Sequence, residues 1–505
     1  MPSPHKYSTY FIYARTICTT LIRRQLPVTR RLQRVVIGLL LVISGYSSAN
    51  SIDLPSIGDT SSSIISNAQE RRLGQAWLRL YRQQIPSFSD PLVSDYIEQL
   101  LIRLARYSDL SNQNLSLIVV NNPTLNAFAV PGGVIGVHTG LLTYAETEHQ
   151  LASVLTHELA HLSQRHYARS LEQQRNSTIP NMAALLASLV LIATTSGDAG
   201  IAALSATQAA SIDQQLRYSR LFEQEADRLG MENLVNAGMD PHAAAAMFEQ
   251  IQRASRFSNR PPEFLLTHPL TERRIADVKN RTLHYPRKQY KDNINYQFMR
   301  TRILFQQEPS PGQAIKRFQS EVSGHSISID ASQYGLALAL IADKQFAKAQ
   351  SLVDALQKKY PDNTALIIAA SDIALGEKRW QEAFALIEKQ RQRLPNNYPL
   401  NIQLSHLYDE QGKFTQAANV LTQLSIKRPQ DPYVWYLLAE TEGLAGNILG
   451  VHNARAEYFI LNGRFERAKT QLNNALKLTA PGSFRYTQIV EKLIEVDTIR
   501  ENSKI

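Results

Sequence analysis

Three kinds of residue recur at one fixed interval in the last third of the chain, and this limits the fold more tightly than anything else in the sequence. Phe346, Trp380 and Phe414 stand 34 residues apart. Ala349, Ala383 and Ala417 keep the same interval, as do Pro361, Pro395 and Pro429. A period of this length corresponds to one helical hairpin. The small alanine lets paired helices approach, and the proline stops the second one. A single hairpin cannot bury its apolar stripe alone, so successive copies stack into a solenoid.

Residues 331–490 are therefore expected to be an α-solenoid of tetratricopeptide repeats, the helix–turn–helix architecture with that period. Gly463, Arg464, Phe465 and Ala468 start a further copy, put out of phase by an inserted helix. Residues 286–330 are expected to be linker helices. The concave face of such an array binds a peptide or a protein and rarely does chemistry.

The chemistry is sought upstream, in His157-Glu158-Leu159-Ala160-His161. The run 148–164 carries apolar residues at Leu151, Val154, Leu155, Leu159 and Leu162, without Pro or Gly, and reads as a helix. Positions i and i+4 of a helix share one face. The two imidazoles thus project together as metal ligands, with Glu158 beside the ion to take a proton from water. A hydrolytic centre needs a third protein ligand. A second acidic helix, 221–230, offers Glu223 and Asp227, again four apart. One can ligate while the other accepts the free N–H of a ligand histidine. Glu225 points elsewhere on that helix. His268 precedes Pro269 and is held extended or in a turn. It is a candidate fourth ligand, a donor to a transition state, or an ordinary histidine at a helix start. As a fourth ligand it would close the open position and act as a latch.

Residues 67–285 read as one α+β domain. Helices are expected at 68–83 and 91–107, and a strand at 115–120. Two apolar runs, 126–130 and 134–138, flank Pro131-Gly132-Gly133 and read as a hairpin or bent strand pair. Asn126, Ala127 and Phe128 could present an edge to which an extended substrate adds as a strand; a purely structural hairpin would carry the same pattern.

The net charge of +10 is concentrated at the N-terminus. Lys6, Arg15, Arg23, Arg24, Arg30, Arg31 and Arg34 stand in the first 49 residues with no acid among them. The rest is close to neutral for its length, which gives no reason to expect nucleic acid as a partner. Arg30, Arg31 and Arg34, the apolar run 35–43 and Ser47-Ser48-Ala49 read as an export signal over 1–49, followed by a leader over 50–66. Cys18 is the only cysteine and falls in that signal, so disulfides are expected to play no part. Residues 176–212 hold two Ala-rich apolar runs, each too short to span a bilayer. They read either as buried helices or as a flap with at most peripheral membrane contact.

Together the two motif helices and the Asn-Ala-Phe strand resemble the HtpX class of zinc metalloendopeptidases, and within it the periplasmic branch with a tetratricopeptide array. The likeness runs over about residues 50–480. It includes Leu54-Pro55, Gln164-Arg165-His166 with Ala168-Arg169, Arg260-Pro261-Pro262-Glu263 and Leu266-Thr267-His268-Pro269-Leu270. The long basic extension departs from it. The resemblance implies a mostly α chain, with a zincin-type α+β domain and a small sheet followed by the α-solenoid. It implies one Zn2+ per chain held by His157, His161 and Glu223, with Glu158 as the catalytic glutamate and Asp227 behind a ligand. It implies that His268 can take the fourth zinc position and hold the enzyme latent. It further implies a periplasmic location, chaperone-like activity, and as partners the outer-membrane β-barrel assembly machinery and unfolded or stalled outer-membrane proteins. The competing expectation is an adaptor that binds unfolded proteins through its repeats above a shut site.

Overall fold

A computed structural model describes residues 65–85, 88–173, 220–256 and 262–503. The expected export signal with Cys18, nearly all of the leader, the 176–212 segment, and Arg260 and Pro261 lie outside the described residues.

The first helix, α1 (Asn67–Gln84), opens on a reciprocal cap. The Ser66 side chain accepts from Gln69 N, while the Gln69 side chain accepts from Ser66 N. Helix α2 (Pro91–Ala105) starts on Asp90, whose carboxylate accepts from Leu92 N and Val93 N, with proline in its first turn. Three strands follow, β1 (Ser116–Val120), β2 (Ala127–Val130) and β3 (Val134–His138). The expected hairpin is β2–β3, antiparallel, with Gly132 and Gly133 at φ 84° and 88° making the reversal that other residues resist. β1 lies parallel to the other side of β3, giving the order β1-β3-β2.

Alternation along these strands divides the sheet between two layers. Phe128, Val130 and Val134 pack with Trp77 and Tyr81 of α1. Ala127, Ala129, Ile135 and Val137 turn the other way, into the main core. There they meet Leu151, Leu155 and Leu159 of α4 (Glu148–Ser163), which follows the short α3 (Thr139–Tyr144). Nearly every residue of α4 is buried, as expected of a helix inside a domain rather than on its surface. The remaining described helices of this part are α5 (His166–Gln173), α6 (Arg220–Asn236), α7 (His242–Arg256), the one-turn α8 (Phe264–Thr267) and α9 (Glu272–Thr282).

Helix α10 (Ile294–Gln307) joins the two halves. Its Tyr296 hydroxyl donates to the carbonyls of Leu142 and Ala145, and its Phe298 ring packs on Tyr334 in the first repeat. The helix Pro311–Val322 follows, and its Phe318 shares a small core with Leu304 and Ala339, so both helices extend the stack.

The repeats pair Ile329–Ala342 with Phe346–Lys359, Thr364–Gly376 with Trp380–Arg393, and Tyr398–Glu410 with Phe414–Lys427. Each periodic aromatic residue is the first residue of its second helix. Ala349, Ala383 and Ala417 are wholly buried between helices, and the prolines fall in the turns that follow. Pro432–Leu444 and Ile448–Leu461 continue the array. Phe465–Lys477 and Phe484–Asn502 complete it, half a period out of phase.

The described residues all belong to one compact unit. At one junction the Asp90 carboxylate takes Arg302 at 2.7 Å and Gln306 at 2.6 Å, and Arg302 donates to the Tyr334 hydroxyl at 2.9 Å. At another, Arg428 lies over the Tyr398 ring and donates to Glu98 at 2.6 Å. None of the described helices is long and apolar enough to cross a membrane.

Asp90 is 5% exposed, so removing its cation leaves a buried charge unpaired. Arg302→Ala is expected to lower stability by about 3 kcal/mol, since breaking a buried pair costs more than the pair contributes. Urea denaturation of the full chain measures this loss.

Candidate metal centre

The centre forms where α4 and α6 touch. A Cβ on Gly230 would stand 3.0 Å from His157 N and 3.1 Å from His157 Cα. A side chain there would have to move the two backbones apart by a few tenths of an ångström. The approach carries Glu223 and Asp227, on the same helix as Gly230, up to the two histidines of α4.

His157, His161, Glu223 and His268 are all buried, and one ligand-capable atom from each lies within 4.8 Å of the others. His157 Nε2 is 3.0 Å from His161 Nε2, 3.4 Å from His268 Nδ1 and 3.6 Å from Glu223 Oε2. Glu223 Oε1 is 3.5 Å from His161 Nε2 and 3.1 Å from His268 Nδ1. A tetrahedral zinc with ligands at about 2.0–2.1 Å separates its donor atoms by about 3.3 Å. The observed edges bracket that value, and nitrogen and oxygen donors are those zinc takes. The residues present fit the ion.

Glu158 occupies the next position on α4, beside the main chain of Ala129. Its carboxylate is fully buried, and neither oxygen has a hydrogen-bond partner among the described residues. Oε1 lies 3.4 Å from Nε2 of His268. Burial pushes the Glu158 carboxyl up, against the pull of His268 and His157. A carboxylate poised this way is suited to exchanging protons.

The other groups hold the donors in place. Asp227 lies 3.1 Å from Nδ1 of His157. Burial disfavours charge on His157, but its contacts with Asp227 and Glu223 outweigh that and raise it to about 9. Burial, with His157 beside it, drives His161 well down, which disfavours a second cationic imidazole beside His157. Arg274 of α9 donates to both oxygens of Asp227 at 2.7 Å and reaches Glu223 Oε2 at 2.7 Å. Burial alone would raise the Glu223 carboxyl, but His268, His157 and Arg274 together hold it well below its usual range. Arg274 also donates to the Pro269 carbonyl at 2.9 Å, tying the His268 turn to α6.

The fold thus brings together His157, His161, Glu158, Glu223, Asp227 and His268. The strand residues divide. Asn126 O accepts from His138 N, so the alternation of an antiparallel ladder turns the main chain of Asn126 and Phe128 toward β3. The main-chain groups of Ala127 and Ala129 point instead to the outer edge of β2, which pairs with no further strand among the described residues. The Phe128 ring lies against Trp77 and Tyr81, on the far face of the sheet. The Asn126 amide donates to Glu263 at 3.3 Å, just before α8.

Two residues that the sequence reading passed over belong here. Arg274 looks like a surface charge at a helix start, and nothing in its spacing marks its two carboxylate partners. His166 follows the motif by five residues and stands 2.8 Å from His161. Glu225 does point away from the donors, as expected, but it engages His166 and Arg169.

Arg274 is the lone cation contacting Glu223 and Asp227 among the described side chains other than histidine. Arg274→Met is expected to destabilise the metal-free protein by roughly 3–5 kcal/mol, because two buried carboxylates lose their partner. Chemical denaturation of the metal-free variant and wild type checks it.

Residues 91–282 match the model of peptidase family M48, and residues 374–441 match a tetratricopeptide repeat model. The beta-barrel assembly-enhancing protease of Escherichia coli is 32% identical over 458 residues, covering 90% of this chain and 94% of that one. A Vibrio cholerae protein provisionally given the same name is 35% identical over 448 residues, covering 88% and 92%. The mitochondrial metalloendopeptidase OMA1 of Danio rerio is 30% identical over 257 residues, covering 48% of this chain and 52% of that one.

Proposed function

The chain belongs to the beta-barrel assembly-enhancing proteases, M48 peptidases with tetratricopeptide repeats, and on that premise we propose a periplasmic zinc endopeptidase that acts on outer-membrane β-barrel proteins. His157, His161 and Glu223 hold the ion and Glu158 is the general base. The observation that carries this reading is the convergence of two imidazole nitrogens and a carboxylate at 3.0–3.6 Å, with the fully buried carboxylate of Glu158 beside them.

Zinc bound there supplies a Lewis acid that polarises a carbonyl and makes water acidic enough to lose a proton near neutral pH. Glu158 takes that proton and returns it to the leaving amine. Asp227 holds His157 through its second nitrogen, and Arg274 holds both carboxylates of α6. The outer edge of β2, through the main chain of Ala127 and Ala129, receives an extended substrate as an added strand. The repeats dock the assembly machinery or an unfolded client on their concave face. The periplasmic assignment rests on the export-signal pattern in residues 1–49.

His268 is the latch. Its Nδ1 joins the donors while its Nε2 stands 3.4 Å from Glu158, in the space a scissile carbonyl needs. A chaperone role for the shut form is favoured by this same contact, since a closed centre leaves the repeats as the working surface.

Glu158→Gln is expected to retain zinc and to lower casein cleavage by about 10²–10⁴-fold, the usual contribution of a positioned base. Normal turnover by that variant would remove Glu158 from the mechanism. Zinc content by atomic absorption accompanies the assay, and full occupancy in His157→Ala or Glu223→Ala would remove that residue from the ligand set.

If the latched form dominates at rest, His268→Ala raises cleavage by at least roughly tenfold, because the competent fraction increases. A variant no more active than wild type rules the latch out.

A further inference from the structure

Nδ1 of His161, the nitrogen turned away from the donor cluster, lies 2.8 Å from Nδ1 of His166. On its other side, Nε2 of His166 lies 3.2 Å from Glu225 Oε2. We propose that His166 is a positioning residue of the metal centre: it accepts the Nδ1–H of His161, sets that ligand's tautomer and aim, and is itself fixed by Glu225. This inference rests on the reading of His161 as a zinc ligand.

Proton counting fixes the direction of each bond. A neutral imidazole has one N–H and one lone pair. A His161 that binds the ion through Nε2 carries its proton on Nδ1. The facing Nδ1 of His166 must then present its lone pair. The proton of His166 is therefore on Nε2, where Glu225 accepts it. One arrangement of protons satisfies all three groups, and it is the arrangement a ligand histidine requires of the groups behind it.

The surroundings hold His166 in this orientation. It is wholly buried, and its ring stacks on Phe222 at 4.6 Å with 14° between the planes. Phe222 directly precedes Glu223, so the ring is set against the same turn of α6 that supplies the carboxylate ligand. Arg169 lies 4.7 Å over the Phe222 ring and donates to Glu225 at 2.9 Å. The residue before His166 is also unusual. Arg165 has φ 50°, the left-handed region that a side chain resists. Its guanidinium donates to Ile65 O at 2.5 Å and to Glu70 Oε1 at 3.3 Å. That turn ends α4 and folds His166 back onto His161. The two ligand imidazoles are thus backed in different ways. Asp227 meets His157 directly, whereas Glu225 reaches His161 through an intervening ring.

The test measures zinc affinity of the full, metal-stripped chain by competition with a chromophoric chelator, together with the melting temperature of the metal-free protein. His166→Phe fills the volume and removes the acceptor. Its zinc affinity is expected to fall about 10–100-fold, with the metal-free melting temperature preserved. His166→Asn places Oδ1 where Nδ1 stands but gives up the tie to Glu225, so its loss is expected to be about that of Glu225→Ala, roughly threefold to tenfold, and smaller than that of His166→Phe. The cobalt-substituted protein gives a second readout, its visible absorption shifting in His166→Phe and not in His166→Asn. Wild-type affinity in His166→Phe overturns the proposal, and so does a loss in His166→Asn as large as in His166→Phe. Should His166→Phe not fold, Glu225→Ala decides: a loss of roughly threefold to tenfold supports the proposal and unchanged affinity overturns it. Wild-type protein that takes up no zinc overturns the metal reading itself, a result separate from any difference among the variants.

Discussion

The metal centre depends on how closely α6 approaches α4. Backbone contact at Gly230 brings the Glu223 carboxylate to 3.5–3.6 Å from two imidazoles fixed by a different part of the chain. A wider separation would leave two histidines on a buried helix and two acids on another, each needing some other partner in a dry interior. The packing of an apolar core thus sets a distance that chemistry then uses. Leu151, Leu155 and Leu159 on one side of α4, and Met231 and Leu234 of α6, belong to the core that enforces it.

Such a cluster carries its own difficulty. Nitrogen and oxygen lone pairs at 3.0–3.6 Å repel one another unless a proton or a cation lies between them. Arg274 offsets part of this by binding Glu223 and Asp227, and it also anchors the turn that bears His268. The same guanidinium therefore links Glu223, the carboxylate behind His157 and the turn that bears His268.

The repeats are joined to the peptidase part by charged contacts as well as apolar ones. Asp90 caps α2 and at the same time binds Arg302 of α10, which reaches the first repeat through Tyr334. Arg428, between the third and fourth hairpins, returns to Glu98 on α2. An element that caps a helix of one part and pairs with a helix of the other leaves little freedom between them.

Much of this was legible along the chain. A 34-residue period forces helical hairpins because the aromatic, alanine and proline positions each do a local job, and local jobs can be read from spacing. The same holds for His157, Glu158 and His161, and for Glu223 with Asp227, since four residues on a helix always share a face. Tertiary structure alone decided how these faces met. Gly230 mattered for what lies opposite it, Arg274 for the carboxylate of Asp227, 47 residues away, and that of Glu223, and His166 for a left-handed turn at Arg165 that no propensity demands. The strand is the clearest division. Alternation predicted a hairpin near Asn126, Ala127 and Phe128, but only the register with β3 determined which main-chain groups face the site. Local periodicity is a property of neighbours in sequence, whereas a ligand set and its supports are properties of distances across a core.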